Sequence, residues 1–158
     1  MLSSPQSAAL FNNGSIGIIV VDTEGNIDII NPFALKLFGC TSEELLGKPI
    51  ELLIPQRYHH RHVQDRQGYM HNPRSRAMGL DMDLYAIKKD GTEFPVEVSL
   101  SNYTIAGKMY IIAFVIDITR RKEIENAVSK AKDPLLLITI LSGFPLQLKA
   151  LLLYPCSS

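Results

Sequence analysis

The apolar run from Tyr110 to Ile116 stops at Asp117 and turns into the charged stretch Thr119-Arg120-Arg121-Lys122-Glu123. No other segment restricts the fold as much. Both parities of the run are apolar, so a strand here has no face to offer to water. Such a strand is central in its sheet and covered on both sides. The charged segment after it has the character of a helix. The end of a central strand is therefore joined directly to a helix that leaves the sheet.

The rest of the chain supplies partners for that strand. Ile16 to Val21 is a β-branched run, and Asp22 to Asn26 is a turn cluster. Ile27 to Ile30 resumes the strand pattern, so the two runs predict an antiparallel hairpin. Asn31-Pro32 predicts an N-cap with proline in the first helical position. Phe33 to Phe38 is then a short helix stopped by Gly39. Thr41-Ser42-Glu43-Glu44 has the form of a capping box for a second helix, which ends at Gly47. Pro49 to Ile54 is a short apolar element, and Arg57 to Met70 is a longer helix broken by Asn72 to Arg76.

Three strands follow. Asp81 to Ile87 alternates, with Met82, Leu84 and Ala86 on one face. Phe94, Val96, Val98 and Leu100 share one face of the next, opposite Glu93, Glu97, Ser99 and Ser101. Tyr110 to Ile116 is the last. The order is two strands, several short helices, a longer helix and three strands. It predicts an α+β chain with an antiparallel sheet and helices on one face.

Composition narrows the partners. The 158 residues suffice for one domain with an extension, and 46% are hydrophobic. Lys and Arg number 16, equal to Asp and Glu, so no global field draws the chain to nucleic acid or an anionic membrane. Cys40 and Cys156 match no metal spacing or disulfide framework. That usage, with no basic-then-apolar signal, leads us to expect a cytoplasmic location. No kinase motif, phosphate-cradling loop or nucleophile–base pair is present, so an enzyme is not expected.

Seven pieces carry a resemblance. They are Ile18 to Asp22, Gly25-Asn26-Ile27, Asn31 with Ala34, Phe38-Gly39, Ser42 to Lys48, Lys89 to Glu97 and Asp117 to Lys122. In that order and spacing they resemble the PAS domain over roughly residues 8–125, as a single copy. The resemblance implies a PAS fold with a five-stranded antiparallel sheet of order 2-1-5-4-3. It implies an N-terminal cap over 1–15, the PAS domain over 16–119 and the start of a signalling helix over 120–132, while the apolar tail over 133–158 departs from the family. It also implies a pocket between the sheet and the long helix, and output through the last strand. Asp117 and Thr119 match the family's exit motif, which would cap and orient the outgoing helix.

The resemblance also frames the site residues. In haem-type PAS sensors a histidine at the place of His62 is the axial iron ligand. Tyr58, His62 and Tyr69 are spaced to share a helix face. Some haem members carry an arginine where this chain has Met82. That change would leave an apolar distal side or a sulfur ligand. His59, His60 and His62 cluster, but no acidic or cysteine partner completes a metal spacing, so a solvated helix face is expected. Arg57, Arg61 and Arg66 are expected at the surface. Met70, Met78, Met82, Leu84, Val96, Val98, Ile112 and Phe114 are the expected pocket lining. Cofactor identity stays open. Haem through His62 is one reading and flavin the weaker one. Cys40 lies earlier than the reactive cysteine of the flavin photosensors that resemble this family, and it suits a small core residue.

The implied function is a PAS sensing and dimerisation module of a larger signal-transduction protein, a two-component histidine kinase or a cyclic-dinucleotide enzyme. A haem-binding gas or redox sensor and a ligand-free interaction domain are the alternatives. The expected partners are a second copy and the parent's effector domain. The tail from Pro134 to Tyr154 is long enough to test as a membrane span. Gly143, Pro145, Gln147 and Lys149 interrupt it, which favours a non-spanning reading.

Overall fold

The computed structural model describes residues 4–73, 76–78 and 83–131, with Ile138, Ser142 and Gly143 beyond them. Met82 and nearly all of the apolar tail 134–154 lie outside the described residues. The chain divides into two units, 1–119 and 120–158.

The first unit opens with α1 (Pro5–Asn13), capped by Ser4, whose Oγ accepts from the Ser7 amide at 3.2 Å. Strands β1 (Gly17–Val21) and β2 (Ile27–Ile30) form the expected hairpin. Helix α2 (Pro32–Phe38) begins at the Asn31 cap and ends at Gly39, whose φ of 70° is the left-handed stop that glycine adopts without strain. Helix α3 (Ser42–Leu45) follows, and the Glu44 carboxylate accepts from the Thr41 amide at 3.0 Å. Short 3₁₀ turns at Ile50–Leu53 and Gln56–Tyr58 lead into α4 (His59–His71).

The remaining strands are β3 (Arg76–Met78), β4 (Leu84–Ile87), β5 (Glu93–Ile105) and β6 (Lys108–Asp117). The order across the sheet is β2-β1-β6-β5, with β3 and β4 both paired to the free edge of β5. Arg76 faces Leu100 and Leu84 faces Val96, so the two short strands lie in line along one edge. Taken together as one position, they give the antiparallel order 2-1-5-4-3 of the PAS fold. Strand β3 occupies a place where the sequence predicted only a helix break.

Central β6 is paired on both sides. Ile19 faces Ala113 on one flank, and Leu100 faces the same residue on the other. The β5–β6 hairpin runs further than the alternating pattern predicted, out to Ile105 and Lys108. Its two-residue turn is Ala106-Gly107, with φ of 50° and 76°.

The core forms where β1, β5 and β6 meet the helices. Ile19, Ile27, Phe38, Leu53, Phe94 and Val115 are buried in it. Phe38 stacks tilted on Phe94, with ring centroids 5.7 Å apart. Burying each such side chain contributes about 1.5–3 kcal/mol.

In the second unit, α5 (Thr119–Lys130, its first residue closing the first unit) has no buried residue. Arg121 and Glu125 pair along it at i,i+4 spacing, 3.9 Å apart. Among the described residues no helix is long and apolar enough to cross a membrane.

Candidate functional site

Strands supply one wall of a cavity of about 360 Å³ and helical elements supply the other. From the sheet come Ile19, Leu84, Val96, Val98, Ala113 and Val115. From the helical side come Phe38, Leu53, Tyr58 and His62, while Arg61, Asp65 and Asp83 add charged groups. The lining is otherwise mostly apolar. The volume lies near the low end of small-molecule sites, about 300–1,000 Å³.

The structure brings His62, Leu84, Val96 and Val98 together in this cavity. It does not bring Ile112 or Phe114 there. On β6 the inward residues are Ile111, Ala113 and Val115, so the even-numbered residues fall on the other face of the sheet. Phe114 stands opposite Ile18 and Ser99, and Ile112 opposite Val20 and Ser101. The parity of a strand that is apolar on both faces cannot be read from its sequence. Met82 is outside the described residues.

His62 is held by a group that the sequence reading passed over. Its Nδ1 lies 2.9 Å from Glu51 Oε1. The same oxygen is 3.4 Å from Arg66 Nε. Glu51 is a carboxylate in an apolar 3₁₀ turn, with a side chain only 11% exposed. Burial pushes its carboxyl up. The His62 bond, its own backbone and Arg66 outweigh burial, and the net effect lowers it. Arg66, expected at the surface, is 14% exposed.

The Arg66 guanidinium is lodged against the β1–β2 turn, where Nη1 donates to the Thr23 carbonyl at 3.4 Å. Gly25 suits this turn through its positive φ, and it also leaves space for the guanidinium. Its φ is +90°, and an added Cβ would stand 2.5 Å from Arg66 Cζ. A sequence signal for the cluster existed: one carboxylate in an apolar turn, with His62 and Arg66 at i,i+4 on the following helix.

The other expected groups are placed as follows. His59 Nε2 donates to the Ile54 carbonyl at 2.7 Å, so it does not share a ligand position with His62. No cluster of three metal-ligating side chains is present among the described residues. Cys40 is half-buried against the core. Burial, followed by Glu44, pushes its thiol up, with Lys89 opposing.

At the exit of β6, Asp117 Oδ1 accepts from the Thr119 amide at 2.8 Å and from the Thr119 hydroxyl at 2.6 Å. Asp117 therefore caps the first turn of the outgoing helix. Ala113 and Val115 line the cavity four and two residues before it. The cavity wall and the exit cap thus belong to one strand.

Comparison with known proteins places these features. A family model described as the PAS domain matches residues 15–120. The chain is 25% identical over 126 residues to the sensor protein FixL of Bradyrhizobium diazoefficiens, covering 80% of this chain and 25% of that protein. It is 29% identical over 102 residues to the oxygen sensor protein DosP of Escherichia coli, covering 65% of this chain and 13% of that one. The chain thus spans a quarter or less of these two relatives. A solved PAS domain of an HTR-like protein from Haloarcula marismortui superposes with a TM-score of 0.60 at 24% identity, covering 72% of this chain and 89% of that one.

Proposed function

The chain belongs to the PAS domain family, and from that premise we propose that it senses a small ligand in its cavity and relays occupancy through β6 to α5. One observation carries the reading. The strand that lines the cavity with Ala113 and Val115 ends in the Asp117–Thr119 cap. A ligand that favours one packing of this wall shifts the population of one exit geometry. The module itself is a sensor rather than a catalyst. Its parent is a larger signal-transduction protein, a histidine kinase or cyclic-dinucleotide enzyme. Residues 1–15 act as its cap, 16–119 as the sensing domain and 120–132 as the start of the signalling helix. It works as a homodimer in the cytoplasm and engages the effector domain of its parent. The role of 133–158 is not assigned. In a full-length fusion, Asp117→Ala should abolish ligand-dependent output while leaving ligand affinity intact. Unchanged output would overturn the relay.

The His62–Glu51 pair favours a second reading, haem. A neutral imidazole nitrogen suits haem iron, and a carboxylate on the other ring nitrogen is the usual outer-shell support for such a ligand. His62 would hold the iron. When bound, haem would supply a redox-active iron for a diatomic gas. The likeness to an oxygen sensor protein supports this reading, while the compact cavity supports a smaller ligand. An absorption spectrum before and after adding hemin separates the two. A Soret band that shifts on reduction and is lost in His62→Ala selects haem. A featureless spectrum in both samples removes it.

A further inference from the structure

Glu51 has a position that core packing does not explain. It is charged, nearly buried and set in an apolar turn, yet it meets a cavity-lining histidine. We propose that Glu51 is the positioning residue of the cavity: it fixes His62 as the Nδ1–H tautomer and leaves the Nε2 lone pair as the site's Lewis base. This inference rests on the reading of the cavity as a ligand site.

Arg66 is permanently charged, and its Nε lies 3.4 Å from Glu51 Oε1. Beside that charge the carboxylate stays ionised, and an ionised carboxylate only accepts. The 2.9 Å contact between Glu51 Oε1 and His62 Nδ1 therefore has the ring as donor. A neutral imidazole carries one proton, so its lone pair is on Nε2. Free histidine in water prefers the opposite tautomer, so the protein has selected this one.

The support behind Glu51 is built rather than incidental. The turn at Gly25 leaves room for the guanidinium, and the Thr23 carbonyl receives its Nη1. Buried Arg66 Nε has no aligned hydrogen-bond acceptor, so its role is to supply charge beside Oε1. The ligand class follows from the cavity. It has an apolar body, met by Ile19, Phe38, Leu53 and Val96, and an electron-pair acceptor at the His62 end. A metal centre or a protic N–H or O–H group both satisfy that chemistry.

The test is long-range proton–nitrogen correlation NMR on histidine-labelled protein without any ligand, at a pH where His62 is neutral. In the wild type we expect a protonated Nδ1 and a bare Nε2. Glu51→Ala should reverse the assignment. Glu51→Gln should keep it, because its amide oxygen still accepts from His62 Nδ1. A wild-type ring protonated on Nε2 overturns the proposal, even if Glu51→Ala does not fold. An unchanged tautomer in a folded Glu51→Ala protein also overturns it.

Adding hemin to the same samples separates the two ligand chemistries. If hemin binds, Glu51→Ala should weaken it by about 10–100-fold. If hemin does not bind and the tautomer is as expected, the haem reading falls. The lone pair then serves a protic ligand. Phenol, as a protic probe, should then shift the His62 Nε2 resonance of the wild type, and failure of both probes to do so overturns the assigned ligand class.

Discussion

Asn31 is completely buried and uses every hydrogen-bonding position it has. Its Oδ1 accepts from the Ile18 and Ala34 amides at 2.9 and 3.0 Å. Its Nδ2 donates to the Ile16 and Phe11 carbonyls at 2.9 and 3.2 Å. One side chain therefore caps α2, starts β1 and holds the end of α1. Asn31→Ala strands these groups without water, and should cost about 2 kcal/mol or more in urea unfolding. A loss below half of that would mean the clamp is redundant. Ala106 works in the other direction. It adopts φ of 50° in the β5–β6 turn, a conformation that penalises a Cβ by about 1–2 kcal/mol. Ala106→Gly or Ala106→Asn should raise stability, by about 0.5–1 kcal/mol after the entropy cost of glycine. A lower midpoint for both would contradict the turn geometry.

At the scale of elements, two ion pairs tie helical segments to the β4–β5 hairpin. Arg57 grips Glu93 through paired contacts of 2.5 and 2.6 Å, and Lys89 meets Glu44. The Lys89 amide also donates to the Phe38 carbonyl at 3.0 Å, so the hairpin turn is joined to α2. The Lys89 bond, then the Thr41 amide, holds the Glu44 carboxyl below its usual range, and Arg57 does the same for Glu93. A carboxylate with a lowered folded value adds stability that is complete above its unfolded value, about 4.3, and is lost as pH falls through the folded one. Thermal midpoints should therefore drop on acidification through the carboxylate range. Replacing Glu44 and Glu93 by Gln should flatten that slope. The pairs are exposed, so salt should shrink the difference between variant and parent. An identical acid profile in the double variant would show that other carboxylates govern it.

The elements also show what a sequence can and cannot disclose. The Asn31-Pro32 start and Gly39 stop of α2 were legible because capping is local. The β1–β2 hairpin was legible because its turn cluster is short. Strand β3 was hidden because Arg76-Ala77-Met78 is too short to alternate visibly and gains its identity only from pairing with β5. The full hairpin to Ile105 was hidden because Ala106-Gly107 lacks the asparagine or aspartate that marks such turns. The face that Ile112 and Phe114 occupy was hidden because β6 is apolar on both. Glu51 and Arg66 meet only through the packing of a 3₁₀ turn on a helix, so composition alone suggested a core turn and a surface arginine.

For the whole molecule, the proposed relay has its input wall and its output cap on one strand. Val98 lines the cavity and pairs with Val115 on β6, two residues before Asp117. Filling the cavity from that position imitates a ligand whose identity is not needed. The most direct test is therefore an amide proton–nitrogen spectrum of Val98→Phe against the parent. The relay predicts a folded protein whose shifts extend beyond the cavity wall to Asp117, Thr119 and the first turn of α5. Shifts confined to the cavity wall, with the exit residues unmoved, would contradict it.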